Sequence, residues 1–164
     1  HKDWSLSYIK NPVEVLERIV HAVSMGGNMV VNFGPQPDGD FRAEEKELAK
    51  VIGKWTARNG ECIYACGYAG WEKQDWGYYT AKGHHVYMVV FNRPYSGQLT
   101  AKTPKGTQII KASLLNGENI KVTETARNEY NVSMPKHEFN EPFVIKLEIK
   151  SFESITNKYR EALT

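Results

Sequence analysis

Asn28-Met29-Val30-Val31-Asn32-Phe33, closed by Gly34-Pro35, decides how the first part of this 164-residue chain is read. The run is apolar without alternation, which is the pattern of a strand covered on both faces, as in a parallel sheet under helices. On its N-terminal side Asn11 can cap a helix and Pro12 suits its first position. Val13, Leu16, Ile19, Val20 and Val23 then recur at three- and four-residue steps until Gly26-Gly27 stops them. On its C-terminal side Gln36-Pro37-Asp38-Gly39 is a turn. A second helix is predicted from Ala43 to Arg58, with Glu44, Glu45 and Glu47 early, Lys54 and Arg58 late, and Leu48, Val51, Ile52 and Trp55 as its apolar face. Helix, doubly covered strand, helix is a piece of an α/β fold, because parallel strands need helical crossovers. One strand makes no sheet, so its neighbours are expected in other sequence, with apolar surface exposed around Met29 to Val31.

From Trp76 onward the period changes from helical to alternating. Seven short strands are expected: Tyr78–Ala81, Val86–Phe91, Gly97–Lys102, Gln108–Leu115, Ile120–Glu124, Tyr130–Ser133 and Phe143–Ile149. Turn signals separate them at Lys82-Gly83, Arg93-Pro94, Pro104-Lys105-Gly106, Asn116-Gly117, Arg127-Asn128 and Met134-Pro135. Such spacing implies an antiparallel sandwich or barrel. The fold class is therefore α/β plus all-β. The boundaries expected are a barrel-type part at residues 1–66, a β-sandwich at 67–150 and a tail at 151–164.

Composition narrows the function classes. Lys and Arg number 21 against 19 Asp and Glu, for a net charge of +2, and the basic residues are interleaved with acids, which argues against a nucleic-acid partner. Apolar runs such as Met29–Val31 and Val86–Phe91 fall far short of the roughly 20 residues that span a bilayer. There is no initiator Met and no basic leader ahead of an apolar stretch, as expected for a chain that starts inside a longer protein. Cys62 and Cys66 lack the further ligands of a metal site and read as small buried or half-buried thiols rather than as a disulfide or metal pair. His84 and His85, placed in a strand, would face opposite ways. No cofactor is implied.

No nucleophile, base and orienting group stand at a diagnostic spacing, and Met25-Gly-Gly-Asn28 follows a helix rather than a strand, unlike a phosphate loop. The acid pairs Glu14/Glu17 and Glu44/Glu45 are expected on solvent faces or at helix starts. Aromatics are more suggestive. Trp4 and Tyr8 precede the first helix, where they could grip the apolar face of a sugar. Trp71, Trp76, Tyr78 and Tyr79 crowd the junction, where packing between the two parts is expected of Trp71 and Trp76. Asn131-Val-Ser133 fits a glycosylation acceptor.

These residues carry a resemblance. Trp4-Ser-Leu-Ser-Tyr8, Val23-Ser-Met-Gly-Gly-Asn28, Met29-Val-Val-Asn-Phe-Gly-Pro35, Pro37-Asp-Gly39, Ile52-Gly-Lys-Trp55 and Asn59-Gly-Glu-Cys-Ile-Tyr64 resemble, in order, the closing part of the catalytic barrel of glycoside hydrolase family 29 α-L-fucosidases. Tyr79-Thr80 and Lys82-Gly83, leading into Val86–Phe91, are similar to the start of that family's C-terminal β-sandwich. Leu6 and Met25 depart from the family's usual glycine and its usual Lys or Asn.

The resemblance implies that Asn28 to Phe33 is the last strand of an eight-stranded parallel barrel whose other strands lie elsewhere. It implies retaining removal of terminal α-L-fucose from glycans by two carboxylates about 5 Å apart. In the family both precede the position of Trp4, so no catalytic residue is assigned here and the chain alone is expected to be inactive. Trp4 is the implied substrate-binding residue, packing near the sugar and its methyl group. Asn32 and Phe33 would lie at the mouth, since barrel sites sit at strand C-termini. The implied partners are a fucosylated glycan and the remainder of the barrel, and the implied location is extracytoplasmic: periplasmic, secreted or lysosomal. The alternative is a carbohydrate-binding or purely structural sandwich, in which Tyr87 or Tyr95 would be the surface aromatic that holds sugar.

Overall fold

The computed structural model describes residues 9–136 and 140–151. Helix α1 spans Pro12–Ser24, with Asn11 Oδ1 accepting from Val13 N at 2.9 Å. At its other end Gly26 takes φ 78°, Gly26 N donates to Val23 O and Gly27 N to Ala22 O, the paired closure that favours glycine. Helix α2 spans Ala43–Asn59 and runs into a single 3-10 turn at Gly60–Cys62.

Among the described residues eight strands follow: β1 Gly77–Lys82, β2 His85–Val90, β3 Gln98–Lys102, β4 Thr107–Leu114, β5 Asn119–Ile120, β6 Val122–Ala126, β7 Glu129–Ser133 and β8 Phe143–Ser151. They form a five-stranded sheet, β1-β2-β8-β4-β5, and a three-stranded sheet, β3-β7-β6, with every pairing antiparallel. The expected strand at Ile120–Glu124 divides at Lys121: Ile120 pairs with Ala112 in one sheet and Val122 with Val132 in the other. One strand thus changes sheets and helps to close the sandwich. His84 lies in the β1–β2 turn after Gly83 (φ 59°), not in a strand, so the opposite-face reading of the two histidines does not hold.

The larger sheet is covered on both faces. Val86, Met88 and Val90 of β2 and Phe143, Ile145, Leu147 and Ile149 of β8 point into the core between the sheets. Tyr87, Val89 and Val144 point the other way, into a second cluster with Leu16 and Val20 of α1, Trp55 of α2 and Cys62. This explains the unbroken apolar run of β2, which is buried along Val86–Val90. The fold is three layers: helices, five-stranded sheet, three-stranded sheet. Each fully buried large apolar side chain of the helix layer contributes about 1.5–3 kcal/mol.

Two expectations are corrected here. Trp71 and Trp76 do not glue the helical part to the sandwich. Both belong to the core between the sheets, where their rings lie 5.1 and 4.9 Å from that of Tyr79, and Trp76 Nε1 donates to Thr100 O at 2.9 Å. Tyr87 is 1% exposed, so it cannot hold sugar from the surface, whereas Tyr95 is fully exposed.

Candidate functional site

The segment between the two helices carries Asn32 and Phe33, the residues expected at a substrate mouth. Residues 27–36 form neither helix nor strand among the described residues. Val30 is 90% exposed, and Met29 is exposed as well. The doubly covered strand expected at Asn28–Phe33 is therefore absent as a strand, for a physical reason: no strand among the described residues lies beside it to take its backbone hydrogen bonds. The apolar surface expected around Met29 to Val31 is present.

Beyond Phe33 the chain is pinned. Phe33 and Phe41 meet edge to face at 6.5 Å. Gln36 N donates to Asp40 O, Gly39 N donates to Gln36 O, and Gly39 takes φ 84°, which closes the loop as a tight turn. Glu45 ties this loop to α2. Its Oε1 accepts from Gly34 N at 3.4 Å and from Arg42 Nη2 at 3.2 Å, and the Arg42 hydrogen bond holds its carboxyl below the usual carboxylate range. Glu45 stands at a helix start, in the first turn of α2, as expected, yet it is only 8% exposed: the carboxylate turns inward because a backbone N–H and a guanidinium are there to receive it. Arg42 three residues before Glu45 was the available sequence signal. Its Oε2 is buried without a hydrogen-bond partner, beside a segment that ends at exposed Asn32 and half-buried Phe33.

Glu17 is likewise turned from solvent towards the sandwich, accepting from Tyr78 OH at 3.1 Å. The helical part is fixed to the sandwich by further polar links. Trp55 Nε1 donates to Pro142 O, Thr80 Oγ1 donates to Cys62 O at 2.7 Å, and Glu61 Oε1 accepts from both Tyr87 OH at 2.9 Å and Lys146 Nζ at 2.6 Å. Cys62 and Cys66 are free thiols, both raised by burial, so neither is poised as a nucleophile. No group of three metal-ligating side chains occurs among the described residues. No helix there is long and apolar enough to cross a membrane. Trp4 lies outside the described residues. What remains is a pinned rim and an unpaired apolar segment, which can complete a larger barrel and border its opening.

The chain is similar to known proteins over most of its length. The α-L-fucosidase family profile matches residues 1–61. Human tissue alpha-L-fucosidase is 35% identical over 117 residues, covering 70% of this chain and 25% of that protein. A solved GH29 alpha-L-fucosidase from Bacteroides thetaiotaomicron, trapped as a covalent intermediate, superposes with a TM-score of 0.89 at 66% identity, over 92% of this chain and 35% of that one. Alpha-L-fucosidase isoenzyme 1 from Paenibacillus thiaminolyticus superposes at 0.77 with 28% identity, over 87% and 35%. The chain thus spans about a quarter of the first relative's length and about a third of the two solved enzymes.

Proposed function

Because the chain belongs to the α-L-fucosidase family, glycoside hydrolase family 29, we propose that it is the closing part of a retaining enzyme that removes terminal α-L-fucose from glycans. Residues 1–66 complete the catalytic barrel, residues 67–150 form the C-terminal sandwich, and residues 151–164 are a tail. The observation that carries this reading is the exposed Met29-Val30 segment between two packed helices, an apolar strand sequence without strand neighbours among the described residues. Supplying seven earlier strands would cover it on both faces and bring Asn32 and Phe33 to the C-terminal rim, where barrel enzymes bind substrate.

In this reading the chain's residues position the reaction rather than perform it. Trp4 packs against the apolar face and methyl group of fucose. The Glu45–Arg42–Gly34 contacts fix the loop after Phe33, and the sandwich buttresses the barrel through Trp55 and Glu61. The nucleophile and the acid/base lie in other sequence, and the bond cleaved is the glycosidic bond of a covalent two-step displacement. Names of similar proteins as tissue and plasma fucosidases support an extracytoplasmic location.

The test is hydrolysis of a nitrophenyl α-L-fucoside by the 164-residue chain and by the same chain preceded by its upstream sequence. Turnover by the longer protein alone is expected. Turnover by the 164-residue chain at ordinary glycosidase rates would overturn the assignment of both carboxylates to other sequence.

A further inference from the structure

The two sheets of the sandwich meet at a cleft of about 340 Å3, lined from one side by Gln74, Asp75, Asn92 and Arg93 and from the other by Ser96, Gln98 and Thr100 of the β3 region. That volume lies at the lower end of the range of small-ligand sites. Its walls are held by backbone bonds. Phe91 N and Asn92 N both donate to Trp76 O, Gly97 N donates to Pro94 O, and Met134 N donates to Gly97 O. Trp76 also lines it, and its indole is fixed by its bond to Thr100 O.

Two amides, a carboxylate and a third amide of this cleft keep hydrogen-bonding capacity. Asn92 Nδ2 donates to Asp75 O at 3.1 Å, which leaves its Oδ1 as an acceptor. Gln74 Nε2 donates to Glu72 O at 3.0 Å, which leaves its Oε1. No hydrogen bond or ion pair among the described residues uses the Asp75 carboxylate or the Gln98 side-chain amide. Arg93 lies over the Phe143 ring at 5.4 Å, which fixes a cation beside these acceptors. Between the lining residues Pro94 and Ser96 the chain carries Tyr95, fully exposed, on the Pro94–Gly97 turn, where Gly97 takes φ 67°.

We propose that this cleft binds a pyranose unit of a neutral glycan. Vicinal hydroxyls are at once donors and acceptors, and side-chain amides, a carboxylate and a guanidinium together match both roles. The C–H face of a pyranose is apolar and suits an exposed phenol ring carried on a pinned turn. A phosphate or sulfate ligand is disfavoured by the Asp75 carboxylate, and a lipid tail by the polar walls. The assignment stands on the cleft's own groups, not on the enzyme reading.

Saturation-transfer NMR on the 164-residue chain with lactose, and with sorbitol as an acyclic control, tests it. Transfer to lactose and not to sorbitol is expected, with affinity lowered about fivefold or more by Tyr95→Ala and by Gln98→Ala. Both side chains are exposed, so neither change disturbs a core, and unchanged circular dichroism verifies this for each variant. No transfer to lactose, equal transfer to sorbitol, or lactose binding unchanged in both variants would overturn the proposal.

Discussion

Trp55 Nε1, on the second helix, donates to the carbonyl oxygen of Pro142 at 2.7 Å across 87 residues of sequence. The donor is fully buried and its acceptor sits one residue before β8, the central strand of the five-stranded sheet. A single side chain therefore ties the helix layer to the middle of the sandwich.

Trp55→Phe keeps most of the ring and leaves the Pro142 carbonyl without this donor. The expected cost is about 1–3 kcal/mol, read as a lowered denaturant midpoint at constant slope. Trp55→Ala adds a cavity and should cost about 3–5 kcal/mol. A Phe variant as stable as the parent would show that the bond contributes nothing to docking.

Glu61 gives the molecule an acid-sensitive contact. The hydrogen bond from Lys146, then that from Tyr87, holds its carboxyl below the usual carboxylate range. A depressed folded-state value stabilises the fold above the unfolded carboxylate value of about 4.3, and that stabilisation is lost as pH falls through the folded value. Lys146→Met should therefore lower stability at neutral pH and flatten its decline below about pH 4. Unfolding curves at pH 7 and pH 3 check this, and an equal effect of the substitution at both would contradict it.

Trp76 and Trp71 hold the core between the sheets, so their replacement should weaken the sandwich itself. Trp76→Phe removes the bond to Thr100 O and should cost about 1–3 kcal/mol. Protease cutting within β3 and β7 should speed up before cutting within α1. Faster cutting of α1 alone would restore the role of these rings as glue between the two parts.

Much of this was legible in the sequence. Asn11-Pro12 and Gly26-Gly27 bounded α1 because caps are local chemistry, and turn residues bounded the strands for the same reason. The character of Asn28–Phe33 was legible too, as apolar sequence without a sheet to join. Sites of opposing partners were not. Glu45 and Glu17 look like ordinary helix-surface acids until Gly34 N, Arg42 and Tyr78 OH are brought to them. The aromatic run from Trp71 to Tyr79 has no period that tells one core from the other. Tyr87 alternates outward from the sandwich, yet a helix covers it, and only tertiary packing reveals that.

Amide hydrogen exchange at Met29, Val30 and Val31 tests the central claim most directly, in the 164-residue chain and in the chain preceded by its upstream sequence. Near-unprotected exchange is expected in the first and protection of about 1,000-fold or more in the second, where neighbouring strands take up these amides. Strong protection in the 164-residue chain, or none in the longer protein, would contradict it.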